Sequence, residues 1–427
     1  MSRAWQMVWI LCLAGAISNI DRGILNLLVD PVRRDLLISD VQISLLQGLS
    51  FGLFYAIVGV PLGLIADRVP RRGLLLAGIT IWSAATLLGG LAPSYGWLFA
   101  SRILVGLGEA TLGPCALSLI GDLFPSDRRG RPISVHMLGG SLGGGLGVLM
   151  VGTITAFTPH AAWRHAFVIA GALGFIVVAL LFLQPEPPRH GVVSADPDRS
   201  PTLEALKFLM RNLRVLLPFY LGFGFVAIAA WGTIAWTPSF IMREFRVSAA
   251  EVGNALGTAT LVTAVAGALL AGFLIDSPLG RGRRSSKFRL LVGAPLCYLP
   301  VTLVPFLPNR LAAISVSSLI YLLFPMMTAL MLSTIADMVP NNLRGLSVSL
   351  LGLTSTLIGV VLGPFLVASV TEHLLHDANR VGFAIALVAA PALLIASGLY
   401  ALALTGLRRS ASRSAEPGPM LFAGSPP

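Results

Sequence analysis

The sequence predicts an all-α integral membrane protein with twelve transmembrane helices in two six-helix pseudo-repeats. Three observations carry that expectation. The first is composition: of 427 residues, 55% are hydrophobic and 11% are charged, and the mean hydropathy is +0.83. A soluble domain carries about 25% charged residues, so a soluble chain of this size has too little interior for so much apolar surface. The second is run length. The apolar runs are about twenty residues long, as a helix crossing a bilayer requires, and lack the alternation of barrel strands. The third is an internal repeat, described below.

Taken in order, the runs are 6–30, 42–66, 73–92, 97–122, 132–157, 163–184, 214–243, 248–276, 288–307, 311–337, 346–372 and 380–406. The long polar connector, 185–213, opens with Pro185-Glu186-Pro187-Pro188-Arg189. It separates an N-terminal six-helix bundle, 1–184, from a C-terminal one, 214–406. Residues 407–427 are rich in Ser, Pro and Gly and are expected to form a disordered cytoplasmic tail. The first run carries Asp21-Arg22 and has no small-residue cleavage site after it, so a retained helix is expected rather than a signal peptide.

The net charge of +11 does not point to nucleic acid, because the basic residues fall in short loops between apolar runs. There they set topology and meet anionic lipid headgroups of the bilayer. With the N-terminus inside, 21 of the 30 Lys and Arg lie on inner loops and tails, 7 lie outside, and Arg22 and Arg102 lie within spans. This bias predicts a multi-pass protein of the cell (inner) membrane with both termini cytoplasmic. Cys12, Cys115 and Cys297 all fall inside apolar runs, where packing is the expected role. The histidines have no ligand-like spacing, and no phosphate-binding loop or catalytic elbow is present. The expectation is therefore no metal, no cofactor and no enzyme.

The repeat is explicit. Asp122-Leu-Phe-Pro125-Ser-Asp-Arg-Arg129-Gly130 follows the fourth run, and Asp337-Met-Val-Pro340-Asn-Asn-Leu-Arg344-Gly345 follows the tenth. Gly63-Leu-Ile-Ala-Asp67 closes the second run and Gly272-Phe-Leu-Ile-Asp276 the eighth, each before a basic loop. Parallel six-helix repeats suit two halves that rock about a site between them.

Charges inside spans are costly, about 2.5–3.5 kcal/mol on insertion scales, so they mark candidate sites. Ser18-Asn19-Ile20-Asp21-Arg22 places two opposite charges in the first run. Glu109 lies about as deep in the fourth run, where Arg102-Ile-Leu-Val-Gly106-Leu-Gly108-Glu109-Ala110 puts Arg102, Gly106 and Ala110 on one helical face. A carboxylate at that depth is a candidate to exchange protons, or else a static partner that holds helices together. Asp21 is a candidate partner for it. Arg22 either pairs with Glu109 or receives an anionic headgroup. Asn19, Tyr55, Arg102, Trp236, Phe240 and Tyr321 are candidates to line a central cavity, with Trp231 and Phe324 also in view. The competing role for each aromatic residue is lipid contact. Trp236 is favoured because Pro238 follows it.

Gly63-Leu64-Ile65-Ala66-Asp67-Arg68-Val69-Pro70-Arg71-Arg72 resembles the signature loop of the major facilitator superfamily, with Pro70 where the family usually has Gly. The Arg102–Ala110 stretch resembles that family's second motif. The resemblance implies the major facilitator fold and a cytoplasmic gate latch. Gly63, Asp67, Arg68, Arg71, Arg72, Asp122, Arg129, Asp276, Asp337 and Arg344 would form it, holding one side shut in one state. The fifth run lacks the Gly-Pro of drug/proton antiporters. Asn19-Ile20-Asp21-Arg22, Leu45-Leu46-Gln47-Gly48, Phe54-Tyr55-Ala56, Trp163-Arg164-His165-Ala166-Phe167 and Trp236-Thr237-Pro238-Ser239-Phe240 resemble the spinster-type branch.

That resemblance implies an amphipathic, lysolipid-like solute. With the charges inside the spans, the expectation is a monomeric secondary transporter of a small organic or amphipathic solute, proton-coupled through Asp21, Arg22 and Glu109. An organic-anion symporter of the same superfamily and a non-transporting ligand sensor with the same fold are the alternatives.

Overall fold

The structure is a computed structural model that describes residues 2–66, 68–125, 128–158, 161–189, 207–276, 284–340 and 343–413. The described residues contain helix and no strand. Apolar side chains demand burial or lipid, and in hydrocarbon every backbone N–H must be satisfied within its own helix. Twelve helices are long and apolar enough to cross a membrane. The protein is therefore a multi-pass membrane protein.

Spans 1 to 6 are Arg3–Leu27, Asp40–Gly59, Arg71–Gly90, Tyr95–Leu123, Gly130–Phe157 and Ala162–Phe182. Spans 7 to 12 are Leu213–Phe245, Ala249–Ala271, Ser286–Phe306, Arg310–Met338, Arg344–Leu374 and Ala378–Arg409. An even number of crossings leaves the first and last spans ending on one face, shared with the 68–72 loop and called here the loop face. The opposite face carries the turns between spans 1 and 2 and between spans 7 and 8.

Several spans are not plain α-helix: span 2 breaks at Gly48, and span 12 opens with a 3-10 turn at Ala378–Arg380. Span 4 breaks after Glu109 and restarts at Leu112. Pro114 causes this, because it has no N–H to offer the Ala110 carbonyl and its ring clashes there. Span 9 changes at Ala294 into a 3-10 helix with Pro295, Pro300 and Pro305 along it. Span 11 contains π-helical turns at Ser355–Val361 and Val370–Leu374 on either side of Pro364.

The repeat holds at the level of single hydrogen bonds. Arg129 donates from Nε to the Phe124 carbonyl at 2.9 Å and from Nη2 to Gly121 at 2.6 Å, capping the end of span 4. Arg344, 215 positions later, caps span 10 in the same way on Val339 and Ala336. Cations suit these carbonyl-rich helix ends. Asp122 pairs with Arg71, and its counterpart Asp337 pairs with Lys287 at 2.6 Å.

Span 5 is the central strut. One face sets Gly139, Gly143 and Gly147 against the backbone of span 1 at Cys12, Ala16 and Ile20. Its other face sets Gly145 and Gly152 against Gly257 and Gly253 of span 8. Small residues permit this approach, and span 1, which carries the charged pair, is thereby fixed in place.

Candidate functional site

Two ion pairs join span 1 to span 4. Arg22 meets Glu109 through Nη2 at 2.6 Å and Nε at 2.7 Å, both on Oε2. Ser18, one turn before Arg22 on the same face, donates to that same oxygen at 2.7 Å. Glu109 Oε1 is buried, with no hydrogen-bond partner among the described residues. Asp21 points elsewhere: its Oδ1 accepts from Arg102 Nη1 at 2.7 Å and its Oδ2 from Thr86. Adjacent positions on a helix lie about 100° apart, so Asp21 and Arg22 serve different partners. Arg102 and Glu109 are seven residues apart, two turns, and share one face of span 4.

Asp21 was expected as a partner for Glu109; the structure instead gives Asp21 to Arg102. The Asp21–Arg102 pair is fully enclosed, each side chain 2% exposed, whereas Arg22 is 32% exposed. Gly106, between Arg102 and Glu109, lets span 2 press in: a Cβ there would lie 2.6 Å from the Phe51 carbonyl oxygen. This brings Phe51 and Tyr55 to Arg22, whose guanidinium carbon is 4.5 Å and 5.2 Å from their ring centroids. The negative ring faces add to the hold on the cation.

Arg22 borders two cavities. Toward the loop face, one of about 170 Å³ is lined by Ser18, Asn19, Tyr55, Glu109, Leu112 and His136. Toward the opposite face, a void of about 40 Å³ is lined by Asn26, Gln47, Phe51, Arg102 and Trp231. His136 turns one ring nitrogen to the Leu11 carbonyl at 3.1 Å. Because a carbonyl only accepts, that nitrogen carries the proton. Asn19 donates to the Gly15 carbonyl at 3.0 Å, within its own helix.

Other expected cavity residues lie elsewhere. Trp236 is fully buried and donates to the Pro364 carbonyl at 3.0 Å. Phe240, one turn on, is buried beside Phe245 and Gly382. Trp231 borders the void instead; five residues from Trp236 is about 140° around the helix, nearly the opposite face. Tyr321 is half-buried against the core of the C-terminal half and borders neither cavity beside Arg22.

The expected latch is distributed differently. Asp67 lies outside the described residues, as does the side chain of Asp276. Gly63 is within the span 2 helix, and Arg68 is exposed. Arg71 is buried and reaches Asp122, Ser118, the Pro187 carbonyl and Glu186. Glu186 also accepts from the backbone N–H groups of Arg71 and Arg72, at 3.0 Å and 2.8 Å, and so caps span 3. Arg72 donates to the carbonyls of Leu181 and Phe182. These bonds tie spans 3, 4 and 6 within the first half and do not reach the second.

Charge joins the halves on the opposite face. Arg243 donates to Asp30 at 2.7 Å, to Asp40 at 2.9 Å and to the Ala378 carbonyl at 2.9 Å. Arg33 meets Asp40 at 3.2 Å, and Glu372 accepts from the Val41 N–H at 3.1 Å. Arg243 is one of the seven Lys and Arg counted on the outer side, and its count there gave no sign of the clasp. The signal was Asp30 and Asp40 flanking one short turn.

Among the described residues no group of three or more His, Cys, Asp or Glu could hold a metal ion. The arrangement can hold a cation against one carboxylate oxygen, at the border of two cavities.

Comparison with known proteins agrees with this fold. The Major Facilitator Superfamily profile matches residues 11–364. An MFS-type efflux pump of Mycolicibacterium smegmatis is 29% identical over 417 residues, 95% of this chain and 94% of that protein. Protein spinster of Drosophila melanogaster is 31% identical over 304 residues, 68% of this chain and 50% of that protein. The chain thus spans about half the length of that animal relative. A bacterial homolog of the human lysosomal transporter Spinster, solved inward-facing and unoccupied, superposes with a TM-score of 0.79 at 24% identity, covering 100% of both chains. A nucleoside transporter, NupG, superposes with a TM-score of 0.77 at 13% identity, over 94% of this chain and 100% of that one. With most of its length inside the family profile, the chain belongs to the Major Facilitator Superfamily of transporters and, within it, resembles the spinster-type branch.

Proposed function

We propose that the chain is a proton-coupled secondary transporter of a small organic or amphipathic solute. It would act as a monomer in the cell inner membrane, by alternating access, with both termini cytoplasmic. The carrying observation is Arg22, which borders both cavities while Glu109 holds its charge. A proton arriving at Glu109 has a vacant oxygen, Oε1, to bind. The neutral acid then loses its ionic hold on Arg22. The freed guanidinium takes an anionic group of the solute or turns between the cavities, and the balance between the two half-open states changes with it.

The resemblance to spinster-type proteins, together with apolar Leu112 and Met137 beside Arg22 and Asn19, supports a lysolipid-like solute. The partial exposure of Arg22 also supports the organic-anion reading, since a cation at a cavity wall, once Glu109 is neutralised, selects negative groups.

The test is flux in proteoliposomes. A lysolipid and a hydrophilic organic anion are offered under an imposed pH gradient and, separately, in counterflow. Gradient-driven uptake that Glu109→Gln abolishes, with counterflow retained, is the expected result. Unchanged pH dependence in both Glu109→Gln and Asp21→Asn would remove proton coupling through this group. Binding with no counterflow would make the protein a sensor.

A further inference from the structure

The two halves diverge at one place where their sequences align. An advance of 215 residues carries Arg72 to Lys287, Gly78 to Gly293 and Asp122 to Asp337. In the first half, spans 3 and 4 touch there. A Cβ on Gly108 would lie 2.6 Å from the Gly78 carbonyl oxygen and 2.9 Å from the Trp82 Cβ. Trp82 itself is 1% exposed and seals the contact. In the second half a Cβ on Gly293 would meet nothing within 4 Å. The counterpart of Trp82 is Cys297, which is exposed, and the counterparts of Gly108 and Thr111 are Leu323 and Met326. With Cys297 where the first half has the Trp82 ring, spans 9 and 10 leave a cleft of about 320 Å³.

The cleft is apolar along its length, with Leu290, Leu323, Met326 and Leu330 in its walls. At its loop-face end stands Arg289, exposed and touching Ser286 Oγ at 3.1 Å. Deeper in, Tyr298 is 1% exposed, and its hydroxyl has no hydrogen-bond partner among the described residues. That hydroxyl is closed off from the cleft, so Tyr298 serves as its floor. The surface beside the cleft is also apolar, with Phe273 and Leu296 exposed. Arg281, Arg283 and Arg284 come just ahead of span 9 in sequence.

We propose that this cleft holds one anionic membrane phospholipid as a resident ligand. An acyl chain fills the space between spans 9 and 10, and the headgroup lies at Arg289. The apolar walls select a chain, and the cation selects a negative headgroup. The cleft shares no lining residue with the cavities at Arg22, so the lipid is a fixed constituent and not the transported solute.

The test uses the full chain in nanodiscs of phosphatidylcholine, with or without phosphatidylglycerol. Native mass spectrometry counts retained lipid, and maleimide alkylation reads Cys297, the exposed thiol beside buried Cys12 and Cys115. Wild type is expected to retain one phosphatidylglycerol, which slows alkylation of Cys297 at least fivefold. Arg289→Ala should cut the preference for phosphatidylglycerol about fivefold, the effect of one cation at a lipid surface. Cys297→Trp restores the ring of the first half and should abolish retention. If that variant fails to fold, the alkylation rate of the unaltered protein decides alone. Equal alkylation in both lipids, or equal retention of the two lipids, overturns the proposal. Protection by phosphatidylcholine alone overturns the headgroup assignment, and retention of a second copy of the chain in place of lipid overturns the ligand class.

Discussion

Arg22 and Glu109 meet through a single carboxylate oxygen. Oε2 takes bonds from Arg22 Nε, Arg22 Nη2 and Ser18, while Oε1 takes none among the described residues. Removing Arg22 therefore strands a buried negative charge. Arg22→Ala is expected to destabilise the protein by about 3–5 kcal/mol, the usual cost of breaking a buried pair from one side. The double variant Arg22→Ala/Glu109→Gln should recover most of that loss. Thermal unfolding in detergent measures both, and equal loss in the single and double variants would mean the pair is not coupled.

Asp21 and Arg102 make the better-enclosed pair, so stability is the expected readout there. Arg102→Lys should cost about 2 kcal/mol or more, because an ammonium cannot reproduce the planar guanidinium among Asp21 and the Phe167 ring. Asp21→Asn should lower thermal stability more than Asn19→Ala does. A double-mutant cycle on Asp21 and Arg102 that returns no interaction energy would contradict this reading.

Arg243 bridges the two halves with Asp30, Asp40 and the Ala378 carbonyl. Arg243→Ala removes the hub and leaves two carboxylates facing each other. The state open on that face should gain about 2–5 kcal/mol relative to the closed one, the cost of truncating a buried charge pair. A cysteine placed at Asn26, which lines the void on that side, should become more reactive to a polar thiol reagent. No change in its labelling rate would show that the clasp does not set the closed state.

Gly106→Ala tests the approach of span 2 to span 4. Its Cβ would press on the Phe51 carbonyl oxygen, and overpacking of this kind costs about 1–3 kcal/mol. Gly113→Ala, where a Cβ meets nothing within 4 Å, is the matched control and should be near neutral. Thermal unfolding of the two variants side by side separates steric pressure from a general loss of glycine.

Much of this was legible in the sequence, for identifiable reasons. Lipid solvent forces long apolar helices, so run length alone marks all twelve spans. The repeat was readable because Arg129 and Arg344 each follow their Asp at the same distance. Arg22 and Glu109 stood out because few charges lie at that depth. Rotation about a helix axis was harder to read. It decides that Asp21 faces Arg102, and that Trp231 and not Trp236 borders a void. Glu186 was hidden in a connector, where proline and charge look like linker, although it caps span 3.

Span 5 meets span 1 on one face and span 8 on the other, with glycines at both seams. At the span 8 seam two leucines cross, Leu261 onto Gly145 and Leu149 onto Gly257, while Gly152 and Gly253 meet backbone to backbone. Each leucine is a tooth seated in a notch that only glycine leaves open. The register between the two halves is therefore set by two side chains and two missing ones.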